Sequence, residues 1–158
     1  YEKMAPEYAL RLAMQNRIGR KANNFRYTDI KGHTRDMYSL RNDFVIVYIN
    51  NPGCAMCRDI SKALQESQLI SQMQQEGRLK ILAIYPDENL DEWHKHHSEI
   101  PSQWINGYDK GKIITKQRTY DLRAIPAMYL LDSEKRVLAK DCTDVEYIEH
   151  LISEAEVL

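Results

Sequence analysis

Three things are scarce in this 158-residue chain, and each scarcity narrows its class. No stretch approaches the roughly 20 apolar residues that a bilayer-spanning helix needs, and the opening residues are not a charged start followed by an apolar block. Charge of one sign is not in excess. Lys and Arg number 22 against 23 Asp and Glu, a net charge of −1, which argues against a nucleic-acid surface or a polybasic membrane patch. Cysteine is limited to three, too few for a disulfide scaffold and odd in number, so at least one, most simply Cys142, lacks a partner within the chain. Internal repeats and low-complexity segments are also absent, and the chain opens on Tyr1 instead of Met, as a trimmed fragment or a mature form does.

What is there is a length suited to one domain whose core needs no staples, which leaves cysteine free for chemistry. Two of the three stand as Cys54-Ala55-Met56-Cys57, directly after the apolar run Phe44 to Ile49 and directly before a helix-like stretch. The run has no polar alternation and is rich in β-branched and aromatic residues, as in a central strand covered on both faces. Ile60, Ala63, Leu64, Ile70 and Met73 predict one long helix closed by Gly77, and Leu79 to Tyr85 predicts a second buried strand parallel to the first.

Elsewhere Leu10, Ala13, Met14 and Ile18 predict an amphipathic helix from Pro6 to about Ile18, followed by a polar connector. Phe25 to Ile30 and Thr34 to Leu40 read as a hairpin. Leu90, Trp93, His94 and His97 predict one face of a helix from Asp87 to about Ser98, ended by Pro101. The stretch from Trp104 to Lys112 gives only a weak signal. Ala127 to Leu131 and Arg136 to Lys140 predict an antiparallel hairpin, and Thr143 with Glu146 predicts a capping box opening the last helix.

This order places the dithiol at a helix N-terminus, on a loop at the carboxyl edge of parallel strands, where α/β proteins put their sites. The first turn of a helix has unpaired N–H groups and the positive end of the macrodipole, so a thiolate there is stabilised. A cysteine so placed can have its pKa lowered from about 8.5 into a range of roughly 3.5 to 7.5, and the thiolate is the form that attacks disulfides. Cys54 is then the nucleophile and Cys57 the partner that resolves the mixed disulfide. A zinc site would want four ligands, and no second Cys-x-x-Cys exists. In His94-Lys95-His96-His97 only His94 and His97 share a helical face, so a solvated surface is expected there and no metal site. Trp93 and Trp104 are expected in the core.

Strand, Cys-x-x-Cys, helix, strand, helix, an apolar residue before proline, hairpin and closing helix together resemble the thioredoxin superfamily, and within it the TlpA/ResA-like thiol-disulfide oxidoreductases. The likeness covers about Phe25 to Leu158 and rests on Asn51-Pro52-Gly53-Cys54-Ala55-Met56-Cys57 and on Tyr120 to Asp132, about 70 residues later. It implies an α/β thioredoxin-like fold, a central mixed sheet flanked by helices, with residues 1–22 as an extra N-terminal helix and connector and residues 23–158 as the domain. It also implies that the Ile125-Pro126 bond is cis beside the dithiol, so that Ile125, Pro126 and Gly53 contact an extended substrate. Partners would be protein disulfides or dithiols and a redox partner protein, with no cofactor and no nucleic acid. The setting implied is extracytoplasmic, the periplasm or cell envelope, with any membrane anchor outside the given residues.

Several positions depart from that pattern. Gly53 replaces the tryptophan often found before the first cysteine. Tyr48, six residues before Cys54, stands where thioredoxins proper carry a buried acid, and a phenol of pKa about 10 cannot move that proton near neutral pH. Either another group, Glu88 or a bound water, moves the proton, or Cys57 is resolved slowly. Two other functions stay open: a binding module with a vestigial dithiol, and a peroxiredoxin-like peroxidase. The second is disfavoured because Asn51 stands where a threonine or serine is expected.

Overall fold

The computed structural model describes residues 6–87, 89–110, 112, 114, 120 and 124–157. The continuous apolar run becomes strand β3 (Phe44–Ile49), all six of whose residues are buried. Period-two geometry sends Phe44, Ile46 and Tyr48 to one face and Val45, Val47 and Ile49 to the other, and each set joins a different core cluster. A strand buried on both faces must sit inside the sheet. The sheet order is indeed β2 (Thr34–Asp36), β1 (Arg26–Asp29), β5 (Ile105–Tyr108), β4 (Leu79–Tyr85), β3, β6 (Ala127–Leu131) and β7 (Val137–Cys142), with β3 between its neighbours.

Strands β1 (Arg26–Asp29) and β2 (Thr34–Asp36) form the expected hairpin, and a 3-10 turn at Met37–Ser39 follows. β4 (Leu79–Tyr85) pairs in parallel with β3, Phe44 opposite Leu79 and Ile49 opposite Ile84. β6 (Ala127–Leu131) runs antiparallel along the other side of β3 and is followed by β7 (Val137–Cys142). The mixed sheet carries α2 (Ala55–Glu66), α3 (Gln68–Gln75) and α5 (Val145–Val157) against one face. Phe25, Tyr27, Met37, Ile114 and Tyr120 fill the other.

Four local expectations are corrected. The single long helix is two, because Ser67 ends α2 and caps α3: its hydroxyl accepts from Ile70 N–H at 3.2 Å and donates to Glu149 Oε2 at 3.0 Å. The helix expected up to Ser98 is α4 (Leu90–Lys95) followed by a separate 3-10 turn, His97–Glu99. The weak stretch holds a strand, β5 (Ile105–Tyr108), parallel to β4. The last helix is capped by Asp144, whose carboxylate accepts from Tyr147 N–H at 3.3 Å, so Thr143 and Glu146 form no capping box.

Helix α1 (Pro6–Met14) ends a turn before the expected Ile18, and Leu10, Met14 and Ile18 are all exposed. The segment after it is held to β7: Gly19 N–H donates to Val137 O at 2.8 Å, Val137 N–H to Arg20 O at 2.9 Å and Ala22 N–H to Lys135 O at 2.8 Å.

Candidate active site

β3 ends at Ile49, and four residues carry the chain to Cys54, the N-cap of α2. Asn50 N–H donates to Ile84 O at 3.1 Å, which keeps the start of this loop in line with β4. Gly53 has φ +74°, a left-handed conformation that costs glycine little and a side chain much, which explains why no tryptophan stands there. At the N-cap, Cys54 Sγ takes the part that a serine or aspartate oxygen usually takes, accepting from Cys57 N–H at 3.2 Å.

The two sulfurs occupy unlike surroundings. Cys54 is half-buried at the mouth of the helix, whereas Cys57, one turn on, is 5% exposed and belongs to the core. Burial, joined by the hydrogen bond with Cys54, pushes the Cys57 thiol up to about 12, while the Asn51 backbone N–H and the Tyr48 hydroxyl act in the opposite direction. Tyr48 donates to Cys57 O at 2.6 Å and stacks edge-to-face on Trp104. Burial, with the nearby cysteine sulfurs adding to it, raises its phenol further above its ordinary range, so it stays protonated. Tyr48 thus anchors the backbone of the second cysteine. Glu88 lies outside the described residues.

The Ile125–Pro126 peptide bond is cis. Ala127 pairs with Ile49, so Pro126 stands at the end of β6 alongside the start of the loop that carries the dithiol. Pro126 is buried, and Ile125 is half-buried against the core cluster that Cys54 also packs on. Gly53, Cys54, Cys57, Ile125 and Pro126 therefore gather at one end of the sheet.

Other candidates fall elsewhere. Cys142 pairs opposite Met128 at the end of β7, and its Sγ accepts from Asp144 N–H at 3.4 Å. Burial raises its pKa. His94 and His97 are exposed, with His97 Nδ1 lying 2.6 Å from His94 O. Among the described residues no group of three or more His, Cys, Asp and Glu could hold a metal ion. Trp104 is in the core, as expected. Trp93 is buried too, and its indole N–H donates to Asn106 Oδ1 at 3.0 Å.

That Trp93–Asn106 pair borders a cleft of about 280 Å³ that opens beside Cys54 and is absent from the sequence reading. Arg58, Ser61, Lys62 and Gln65 form its α2 wall, and His96, His97, Glu99 and Ile100 face them. The signal was present as a polar stripe at helical spacing running on from Cys54 through positions 58, 61, 62 and 65. Without α4 placed opposite, it reads as solvated surface.

A family model described as thioredoxin-like matches residues 42–137, a span that holds both cysteines, β3, β4, β6 and Pro126. The chain belongs to the thioredoxin-like family. Among solved structures it is similar to a thioredoxin-like protein from Bacteroides caccae, at 48% identity and a TM-score of 0.90 over 93% of this chain and 53% of that one. It is also similar to the C-terminal domain of an uncharacterized protein from Bacteroides fragilis, at 43% identity and a TM-score of 0.83 over 87% of this chain and 99% of that one. Among curated proteins, nucleoredoxin of Danio rerio is 25% identical over 108 residues, 68% of this chain. The chain spans about a quarter of the length of the nucleoredoxins it matches. Within the thioredoxin-like family, then, this chain keeps the mixed sheet flanked by helices and carries its dithiol at the first turn of α2.

Proposed function

We propose that this thioredoxin-like chain is a thiol-disulfide oxidoreductase of the TlpA/ResA-like kind, exchanging its Cys54/Cys57 pair with protein substrates in the bacterial cell envelope. The observation that carries the reading is the asymmetry of the pair, a half-buried N-cap sulfur beside a buried thiol held protonated. Cys54 thiolate attacks a substrate disulfide, forming a mixed disulfide and releasing one substrate thiolate. Cys57 then loses its proton and attacks Cys54 Sγ, releasing the second substrate thiol and leaving the Cys54–Cys57 disulfide. Two electrons pass from the protein dithiol to the substrate. The reverse sequence oxidises a substrate dithiol, and relative potential sets the direction.

Substrate contact is assigned to Gly53, Ile125 and Pro126, which gather around the dithiol. Met56, between the cysteines and 57% exposed, adds an apolar contact suited to a protein partner. The envelope setting rests on the TlpA/ResA resemblance.

The test is insulin reduction with dithiothreitol as electron source, followed by trapping. Wild type accelerates precipitation of the insulin B chain, Cys54→Ser abolishes the acceleration, and Cys57→Ser accumulates a mixed disulfide visible by mass. Absence of insulin reduction in both wild type and Cys54→Ser would leave the binding-module reading. Fast, saturable oxidation of Cys54 by hydrogen peroxide, without insulin reduction, would favour the peroxidase.

A further inference from the structure

We infer that the cleft beside Cys54 is a binding site for small carboxylate-bearing disulfides and their thiols, giving the dithiol a low-molecular-weight substrate besides protein. This rests on the exchange reading above for its chemistry and on the cleft alone for its binding. At about 280 Å³ the cleft lies at the lower edge of small-molecule sites, which run from about 300 to 1,000 Å³. It admits one arm of a small disulfide and excludes a folded surface. Neither Ile125 nor Pro126 lines it, so it meets the surface assigned to protein substrates only at Gly53 and the dithiol.

The lining selects an anion. Arg58 and Lys62 follow Cys54 by four and eight residues on one face of α2, which sets them about 6 and 12 Å along the axis from Cys54 at about 1.5 Å per residue. Lys62 has only a marginal exposed contact with Glu66, at 4.0 Å. Among the described residues Arg58 makes no ion pair. Neutral donors complete the wall. Ser61 Oγ accepts from Gln65 Nε2 at 3.1 Å, which frees its own O–H to donate. Asn106 spends its carbonyl oxygen on the Trp93 indole, which leaves its amide hydrogens for a ligand. Among the described lining residues the one carboxylate, Glu99, is engaged by His96 at 2.9 Å. A carboxylate held by Arg58 therefore brings the sulfur of the same molecule to Cys54.

The redox step balances as before: Cys54 thiolate breaks the ligand S–S bond, one ligand thiolate leaves, and Cys57 expels the second with formation of the protein disulfide. The net change is protein dithiol plus disulfide to protein disulfide plus two thiols.

Two measurements test this with dithiodipropionate and its dimethyl ester as a matched anionic and neutral pair. The first is binding to the Cys54→Ser protein, followed through the two tryptophan indole N–H signals. Dithiodipropionate shifts the Trp93 signal saturably and leaves Trp104 still, the ester has little effect, and Arg58→Gln weakens binding about tenfold, the size expected for a lost charge-assisted hydrogen bond. No saturable shift, or equal shifts by acid and ester, overturns the inference whether or not the dithiol is active. The second is oxidation of the reduced protein, each disulfide's rate being normalised to its rate with free dithiothreitol. The acid is preferred over the ester, and Arg58→Gln and Lys62→Gln reduce that preference, a ratio in which any change in Cys54 nucleophilicity cancels. A ratio that stays fixed in both variants, or a loss toward insulin equal to the loss toward the acid, overturns it. Failure to react with any disulfide, insulin included, sinks the oxidoreductase reading instead.

Discussion

The second cysteine sets the pH behaviour of the site. Its folded pKa, about 12, lies above the ordinary 9.0, so between these values the folded reduced protein holds a proton that the unfolded chain has released. The stabilisation is full below about pH 9 and is lost as the pH rises toward 12. Urea midpoints of the reduced wild type should therefore fall more steeply over that window than those of Cys57→Ser. Tyr48→Phe removes the hydrogen bond to Cys57 O and should cost about 1 kcal/mol in urea unfolding. Because the Tyr48 hydroxyl also works against the rise in the Cys57 pKa, the same variant should move the titration of that thiol to higher pH, read in the pH dependence of the urea midpoint. The dithiol was legible from residue type and spacing alone. The anchoring role of Tyr48 was not, because it depends on where a carbonyl one turn into α2 meets a side chain of β3.

Elements were legible where one physical signal dominated. β3 declared itself through an unbroken apolar run, and the β6–β7 hairpin through its turn residues. β5 did not: Ile105-Asn106-Gly107-Tyr108 is short and half polar, and its glycine answers to its neighbours. A Cβ at Gly107 would lie 2.8 Å from Tyr27 Cδ2 and 3.3 Å from Thr28 O. Gly107→Ala should accordingly cost about 1 to 3 kcal/mol, read by chemical denaturation. The break between α2 and α3 escaped because apolar spacing runs on through it, while Ser67 acts through a cap and a contact with Glu149 some 82 residues away. Ser67→Ala should cost about 1 kcal/mol by the same measurement.

At the scale of the molecule, the order of elements carried the fold, and what could not be read was which faces oppose each other. The cleft is the clearest case: both walls are ordinary surface until β4 and β5 set α4 across from α2. Helix α1 presents the converse, an amphipathic pattern whose apolar members Leu10, Met14 and Ile18 are exposed by 62%, 57% and 60%. Leu10→Gln should therefore change stability by less than about 0.5 kcal/mol.

The residues after α1 are irregular by name yet lie against the outer margin of β7 with strand-like hydrogen bonds. Their peptide hydrogens at Gly19 and Ala22 should exchange with deuterium as slowly as those of the hairpin they flank. A chain cut after Ala22 would bare that margin as a template for a second chain, and self-association in sedimentation would report it.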